Sequence, residues 1–370
     1  MKIGIDARTY SWSGIGRYVR NLISELSKVD HKNQYVIFLG EDDFEDFEPP
    51  TKNFEKFLVG GSYYSFSEQL ILPWQIKKAH CDLVHFSHFN FPVIYEKPFV
   101  VTIHDLIPYL FPGQKMKRAI HRVAYKFVIH KVVKKALKII AVSENTRRDL
   151  IKYLEVPPEK IKVIYEGVEK RYLEKKSEDE IRAVLQKYKI TPSYFLYVGV
   201  FRNHKNLPVL LKAFKRYQEE FSKKERLVLV GEKDPEYKEV DILIKKLSLQ
   251  NQIITPGKIS DKDLICLYQG ALAFIFPSLY EGFGLPPLEA MAAGTPVISS
   301  RAASLPEILD RAALFFNPKD IDELLALMKR VKSDKELQSN LEKKGLSQVK
   351  KYSWKKMAKE TLNIYRSLSM

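Results

Sequence analysis

The chain has 370 residues, of which 45% are hydrophobic and 29% charged, a composition that excludes a disordered chain and predicts a packed protein. This length exceeds what one hydrophobic core usually serves, so about two domains are expected. The 61 lysines and arginines outnumber the 45 acids and give a net charge of +16, which favours an anionic partner such as nucleic acid, an acidic membrane surface or a phosphorylated small molecule.

Short apolar runs alternate with amphipathic stretches along the first half of the chain, at residues 2–7, 35–39, 83–86, 99–104, 139–142 and 162–165. A charged segment at 169–191, expected to be helical, separates them from a second series at 194–200, 226–230, 271–276, 296–299 and 313–316. This alternation predicts an α/β fold of two doubly wound, Rossmann-like domains. We expect them at 1–170 and 171–352, facing a central cleft. A last amphipathic helix, at 353–370, is expected to pack back on the first domain.

The cysteines and the apolar runs indicate where the protein works. Cys81 and Cys266 form no C-x-x-C pair, which is typical of free thiols in a reducing cytoplasm. A strand with Asp6 is predicted where a signal peptide would need a longer apolar stretch. No apolar run approaches the roughly 18 residues that span a bilayer. We therefore expect a cytoplasmic protein, at most attached peripherally to the inner face of the cell membrane.

Residues 277–298 read P-S-L-Y-E-G-F-G-L-P-P-L-E-A-M-A-A-G-T-P-V-I and lead from a predicted strand into a predicted helix. The two prolines suit the first helical turn but supply no N–H. The donors at this helix start are therefore expected to be the backbone N–H groups of Gly282, Phe283, Gly284 and Leu285. Such a helix N-terminus binds anions, and a diphosphate fits there.

Glu281 and Glu289 flank this turn. Taken alone, Glu289 is better explained as a carboxylate that the helix dipole stabilises by about 0.3–1 kcal/mol, and Glu281 as a solvated loop charge. The whole string, however, closely resembles the E-x7-E signature of the large retaining glycosyltransferase family with the GT-B fold (family 4-like) that includes bacterial mannosyl- and glucosyltransferases. The resemblance implies two Rossmann domains, a nucleotide-sugar donor and retention of the anomeric configuration. It also implies that Glu289 binds the donor ribose and that Glu281 lies against the transferring sugar.

A cationic loop, V-F-R-N-H-K-N, follows the first strand of the second domain. Arg202 and Lys205 lie on it and can neutralise a diphosphate. In the resembling family such a pair clasps the donor phosphates. Many relatives carry the arginine directly after the strand's glycine, where this chain has Val200, so Lys205 matches the family pattern better than Arg202.

Two groups of residues in the first domain follow predicted strands. His104 and Asp105 end the run V-T-I-H-D. A lone histidine is ordinarily structural, but the H-D pair resembles the family's, whose histidine lies near the donor sugar. We expect His104 to contact substrate and Asp105 to orient the loop. Gly14 and Gly16 form an incomplete G-x-G-x-x-G, weak evidence by itself; the resemblance places this loop beside the donor phosphates and acceptor.

No metal is expected, because Arg202, Lys205 and the helix start already serve the diphosphate. No other cofactor is expected either, since the nucleotide sugar is a substrate. Asp261 and Asp263 look like the D-x-D of metal-dependent glycosyltransferases, but Ser260 precedes them as a helix N-cap would. His85 and His88 have no obvious third ligand.

The resemblance favours hexose transfer, with mannose from GDP-mannose as the best match and UDP-glucose or UDP-N-acetylglucosamine as alternatives. A lipid-linked or polysaccharide acceptor, as in lipopolysaccharide or polysaccharide biosynthesis, is expected. A sugar-nucleotide 2-epimerase of the same fold remains a competing interpretation. So does a non-catalytic subunit that binds the nucleotide sugar. Nucleic acid is not an expected partner, because no basic motif interleaved with aromatic residues is present.

The positive charge concentrates in the first domain. Residues 106–143 include no acid and nine cations: Lys115, Lys117, Arg118, Arg122, Lys126, Lys131, Lys134, Lys135 and Lys138. As a helix, this segment would carry a cationic ridge beside an apolar face with Ile120, Val123, Ala124 and Phe127. It is either an ordinary domain helix with solvated lysines or, as we expect, a helix whose residues 115–138 rest on an anionic membrane surface.

Overall fold

The computed structural model describes residues 1–61, 63–113 and 119–369, and these divide into two compact units. The first unit comprises residues 1–109, 119–167 and 353–369; the second comprises 110–113 and 168–352. Both are α/β units built on a parallel sheet, as the sequence predicts.

The first unit alternates strands and helices in chain order. Its elements are β1 (Lys2–Asp6), α1 (Gly14–Val29), β2 (Gln34–Leu39), α2 (Glu41–Phe44), β3 (Phe54–Leu58), α3 (Phe66–Lys78), β4 (Leu83–Phe86), β5 (Phe99–Ile103), α4 (Ile107–Leu110), α5 (Ala119–Lys135), β6 (Lys138–Ala141), α6 (Glu144–Leu154) and β7 (Ile161–Val163). The strands form one sheet in the order β3-β2-β1-β4-β5-β6-β7. Every residue of β4 and β5 is buried, which is typical of central parallel strands covered on both faces.

The second unit repeats this plan with six strands. Its elements are α7 (Glu178–Lys187), β8 (Tyr194–Val198), α8 (Leu207–Glu220), β9 (Arg226–Val230), α9 (Glu239–Lys246), β10 (Ile253–Gly257), α10 (Asp261–Gly270), β11 (Ala273–Phe276), α11 (Leu285–Ala292), β12 (Val297–Ser300), α12 (Leu305–Leu309), β13 (Ala313–Phe316), α13 (Ile321–Ser333) and α14 (Lys335–Val349). The strand order is β10-β9-β8-β11-β12-β13, so β8 and β11 are central neighbours. Their carboxyl ends bring two loops together.

The last helix, α15 (Trp354–Ser367), belongs to the first unit, where it packs on α1. The hydroxyl of Tyr365 lies 2.6 Å from Nδ1 of His85 on β4, and the other ring nitrogen lies 2.8 Å from the Thr102 hydroxyl. Burial lowers the pKa of His85 to about 3, so the ring is neutral. This hydrogen-bonded chain fixes the C-terminal helix to the centre of the first sheet.

One short segment differs from the domain bounds expected from the sequence. Residues 110–113 lie between elements of the first unit but belong to the second. The ring of Phe111 contacts that of Tyr280, with centroids 5.8 Å apart, which gives this segment its partner in the second unit.

The basic helix is shorter than predicted. α5 begins at Ala119, and residues 114–118 lie outside the described ranges. Lys138 is in β6, where its Nζ donates to the carbonyl of Glu159 at 2.8 Å. The prediction that the cationic ridge of this helix reaches Lys138 is therefore wrong, because the helix ends at Lys135 and the chain enters the buried sheet at Lys138. Nζ of Lys135 is also engaged and donates to the carbonyl of Val93 at 2.8 Å.

Among the described residues, no helix is long and apolar enough to cross a membrane.

Candidate functional site

The loops that follow β8 and β11 are joined at the carboxyl edge of the second sheet. The N–H of Leu279 donates to the carbonyl of His204 at 2.6 Å, and the side-chain amide of Asn206 donates to the carbonyl of Pro277 at 3.0 Å. Asn206 has φ +56°, a conformation that asparagine tolerates better than most residues. These bonds hold the cationic loop against the glutamate motif.

Lys205 and Glu281 form an ion pair across the two loops. Nζ of Lys205 lies 2.6 Å from Oε1 of Glu281, and the side chains are only 15% and 11% exposed. Nζ of Lys205 also lies 5.3 Å from the centre of the Phe276 ring. Poor solvation strengthens the attraction between these charges. The cation expected at the phosphates and the carboxylate expected at the sugar are therefore in direct contact.

Ser304 orients the turn that follows Glu281. This buried serine directs its hydroxyl to two carbonyl oxygens, that of Glu281 at 2.9 Å and that of Phe283 at 3.0 Å. In a trans peptide the N–H points opposite to the carbonyl, and the described residues include no cis bond. The N–H groups of Gly282 and Gly284 therefore point away from Ser304. A turn with two N–H groups on one side can hold an anion.

Gly284 begins the helix that the motif predicts. It is the N-cap of α11 with φ +106°, and an added Cβ would lie 2.9 Å from a methyl of Leu305. Leu285 is the first helical residue, and the prolines after it occupy the first turn as expected. The predicted helix start is therefore formed, and binding of an anion such as the diphosphate stays a prediction.

Glu289 lies one turn inside α11 and is 3% exposed. The hydroxyl of Tyr268, on α10, donates to its Oε2 at 3.2 Å. The hydroxyl of Thr295 in turn donates to the carbonyl of Tyr268 at 2.6 Å. The carboxylate is thus held by a hydrogen-bond donor, and its binding of the donor ribose stays a prediction.

Arg202 is directed differently from Lys205. Its Nε lies 3.2 Å from a carboxylate oxygen of Asp234, and its side chain is 53% exposed. Its predicted contact with donor phosphate stays a prediction and would compete with this contact to Asp234.

In the first unit, His104 is held at both ring nitrogens. Nε2 donates to the carbonyl of Ser87 at 2.9 Å, and Nδ1 lies 3.1 Å from Oε1 of Glu166. With Nε2 donating to Ser87, a ring that carries a second proton can also donate from Nδ1 to Glu166, so this geometry favours the imidazolium. Burial opposes the charge, but the hydrogen bond and the charge of Glu166 raise the pKa of His104 above its ordinary value of 6.5.

Glu166 is the residue that sequence reasoning missed. It is 4% exposed and follows β7, within the string Y-E-G-V. An acid directly after a predicted strand was the available signal. Asp105, in contrast, accepts the N–H of Ile107 at 2.8 Å, consistent with a role in ordering the loop before α4. Substrate contact by His104 stays a prediction.

The two glycines of the first loop differ in their surroundings. A Cβ on Gly16 would lie 2.5 Å from the carbonyl oxygen of Thr9 and 2.6 Å from that of Tyr10, so this glycine is required by the chain's own packing. Gly14 begins α1 and has no neighbour within 4 Å of an added Cβ. A ligand contact is therefore sterically open at Gly14.

The carboxylates that resembled a D-x-D motif have partners in the second unit. Asp263 lies 2.7 Å from both Nζ of Lys187 and the hydroxyl of Tyr188, and Asp261 lies 2.9 Å from Arg171. Ser260 accepts the N–H of Asp263 at 3.2 Å, which confirms the predicted N-cap of α10.

Two family models match the chain, one on each half. Glycosyltransferase Family 4 matches residues 12–171, and Glycosyl transferases group 1 matches residues 177–348.

Relatives extend this match over the whole length. The chain is 29% identical over 376 residues to O-antigen chain mannosyltransferase B of Escherichia coli, covering 97% of each chain. It is 30% identical over 258 residues to O-antigen chain mannosyltransferase RfbU of Salmonella typhimurium, covering 70% of this chain and 67% of that one. The structure of Anabaena HepE in complex with UDP and glucose shares its fold, with a TM-score of 0.80, 18% identity and full coverage of both chains. The chain therefore belongs to the group 1 and family 4 glycosyltransferases and is a glycosyltransferase of the GT-B fold that resembles bacterial mannosyltransferases.

Proposed function

We propose that this enzyme transfers mannose from GDP-mannose, with retention and without a metal, to a lipid-linked or polysaccharide acceptor. The observation that carries the proposal is the ion pair of Lys205 and Glu281 beside the glycine turn at 282–285 that begins α11. The two mannosyltransferase relatives support the sugar. They also favour transfer over the 2-epimerase and over a non-catalytic subunit.

Donor binding would use the turn and Lys205 together. The donor diphosphate accepts hydrogen bonds from the turn and draws Lys205 toward it. Glu281 then loses part of its neutralising partner, so its negative charge acts on the sugar. As the bond from the anomeric carbon to the phosphate oxygen lengthens, the sugar becomes cationic and Glu281 stabilises it.

The step balances without a protein nucleophile. The anomeric carbon–phosphate oxygen bond breaks while the acceptor oxygen bonds to the same face of the sugar. The acceptor proton passes to the departing phosphate. Because Glu166 raises the pKa of His104, we assign this ring a positive charge rather than a role as an acid or base.

Metal independence rests on the partners of the acidic residues. Asp263 is engaged by Lys187 and Tyr188, whose hydrogen bonds lower its pKa, and Asp261 is engaged by Arg171. Lys205 and the start of α11 supply positive charge where a metal would otherwise neutralise the diphosphate.

The acceptor would be reached at a membrane surface through α5. Arg122, Lys126, Lys131 and Lys134 are exposed on this helix, as are three large apolar side chains: Ile120 at 70%, Val123 at 66% and Phe127 at 53%. At about 1 kcal/mol per cation, four engaged residues give about 4 kcal/mol on an anionic surface, enough for reversible attachment.

A donor panel tests the proposal. Purified protein is incubated with GDP-mannose, UDP-glucose and UDP-N-acetylglucosamine, with vesicles that carry a lipid-linked saccharide, and both nucleotide release and new glycoside are measured. GDP release with a mannoside is expected. UDP release with formation of a glucoside would identify UDP-glucose as the donor in place of GDP-mannose. Nucleotide release without any glycoside would favour the epimerase.

A further inference from the structure

A second helix of the first unit exposes a large apolar face. On α3, Leu70 is 71% exposed, Trp74 57% and Ile71 41%. Contiguous exposed apolar surface of this kind marks an interaction site more often than ordinary surface. We call Leu70, Ile71, Trp74, Lys77 and Lys78 the α3 face.

The charge on the α3 face is positive. Lys77 and Lys78 are exposed, and Nζ of Lys78 lies 3.4 Å from the centre of the Trp74 ring. Glu68, the acidic residue of this helix, is fully buried and accepts the side-chain amide of Asn90 at 2.7 Å. An exposed tryptophan beside lysines is the combination found at the headgroup level of bilayers.

A strap of residues 91–97 joins the α3 face to α5. Gln69, on α3, accepts the N–H of Val93 at 2.8 Å and donates to the carbonyl of Phe91 at 3.4 Å. From α5, Nζ of Lys135 donates to the carbonyls of Val93 at 2.8 Å and Tyr95 at 3.3 Å. Ile94 of the strap is 56% exposed. The strap therefore binds both helices.

The topology places the two helices on one side of the sheet. The crossover from β3 to β4, which contains α3, and that from β5 to β6, which contains α5, run in the same direction along the strand order. Both crossovers are right-handed by the general rule for parallel strands, so α3 and α5 cover the same face of the sheet.

We propose that the α3 face and Ile94 enter the headgroup region of an anionic bilayer alongside α5, so that the membrane-binding surface spans two helices rather than one. This inference rests on the membrane contact in the proposed function. Charge favours a bilayer over a second copy of the chain. The exposed cations of α3 and α5 outnumber the one exposed acid of the strap, Glu96. Two such positively charged surfaces would repel each other.

Tryptophan fluorescence tests the insertion directly. Subtracting the emission of Trp74→Phe from that of the unmodified protein isolates Trp74, since Trp354 is buried and Trp12 is common to both proteins. On vesicles of phosphatidylcholine with phosphatidylglycerol, Trp74 emission should shift to the blue and be quenched by brominated lipid. On phosphatidylcholine alone both effects should be much weaker.

Flotation of variants separates this inference from the contact at α5. Lys77→Ala/Lys78→Ala should weaken binding to the anionic vesicles about 30-fold, because each interfacial cation contributes about fivefold. Lys223→Ala/Lys224→Ala is the matched control, since these two adjacent lysines are also exposed but lie in the second unit.

Each outcome has one meaning. Flotation that depends on Lys126 and Lys131 of α5, with unshifted Trp74 emission and an unaffected double variant, overturns the inference and leaves α5 as the contact. Absence of flotation removes the membrane contact altogether. A dimer in sedimentation without lipid that Trp74→Ser dissociates would assign the α3 face to a second copy and also overturn the inference.

Discussion

Nζ of Lys205 lies 2.6 Å from Oε1 of Glu281, and the two residues come from loops that follow neighbouring strands of the second sheet. The pair is largely shielded from solvent, so neither charge is stable without the other or a substitute. On the proposed function, a donor diphosphate would replace Glu281 as the partner of Lys205. The ion pair would then couple donor binding to the negative charge that Glu281 presents.

Removing the lysine should cost stability as well as donor affinity. Lys205→Ala leaves Glu281 buried without its cation and should lower the free energy of unfolding by about 3 kcal/mol. Lys215→Ala is the control, because it breaks an exposed pair with Glu219 and should cost under about 1 kcal/mol. In a double-mutant cycle, Lys205→Ala/Glu281→Ala should cost clearly less than the sum of the single variants. Additive costs in chemical denaturation would contradict the coupling.

Neutralising Glu281 should affect chemistry more than binding. Glu281→Gln keeps the shape of the side chain and frees Lys205 from its ion pair, so nucleotide affinity by calorimetry should be retained or should rise. The kcat should fall about 100-fold or more, since the charge acts mainly when the sugar becomes cationic. An unchanged kcat would remove Glu281 from its assigned role.

Glu289 is expected to bind the ribose of the donor nucleotide. If its carboxylate accepts a ribose hydroxyl, GDP should bind more tightly than the corresponding deoxynucleotide, and Glu289→Ala should abolish that preference. Tyr268→Phe removes the donor that holds the carboxylate, at a cost of about 1 kcal/mol in GDP affinity. A ribose preference that survives Glu289→Ala would place the ribose elsewhere.

His104 should titrate above the ordinary histidine range. Its pKa is raised in the folded protein, so the ion pair with Glu166 stabilises the fold below the ordinary value of 6.5, and this stabilisation is lost as pH rises through the folded value. Glu166→Gln should therefore cost most below the ordinary histidine pKa of about 6.5 and progressively less as pH rises through the raised value. Its histidine resonance should titrate at lower pH than in the unmodified protein.

The pH test of His104 needs its neighbouring groups identified and a control variant in the same unit. The titratable groups that interact with His104 include Glu166, Asp105, His85 and His88, and the ring of Tyr18 lies 4.9 Å away. Glu144→Gln, which breaks an exposed pair with Arg147 in the same unit, should show no such pH dependence. Equal pH profiles for Glu166→Gln and Glu144→Gln would show that His104 is neutral.

Most strands could be predicted because buried parallel strands read as continuous apolar runs. The two that were missed, β3 and β10, lie at sheet edges. β3 is F-E-K-F-L, half exposed, and β10 is I-I-T-P-G, in which Pro256 cannot donate to a ladder. Edge positions tolerate charge and proline, so apolar patterning is weak there.

Individual residues of the site could be predicted from the sequence, but the contacts between them could not. The motif at 277–298 marked Glu281, Glu289 and the helix start from local letters alone. The contact of Glu281 with Lys205, 76 positions away, depends on β8 and β11 being neighbours. The contact of Glu166 with His104, 62 positions away, likewise depends on strand order. Strand order is determined by the whole fold and cannot be read from the sequence of either segment.

The most direct test is the anomeric configuration of the product. The enzyme is supplied with GDP-mannose and its saccharide acceptor in the presence of a chelator, and the anomeric centre is identified by NMR. A mannoside with the same anomeric configuration as the donor, formed at an undiminished rate, is the predicted result. An inverted product, or activity that disappears with chelator and returns with Mg²⁺ or Mn²⁺, would contradict retaining, metal-independent transfer.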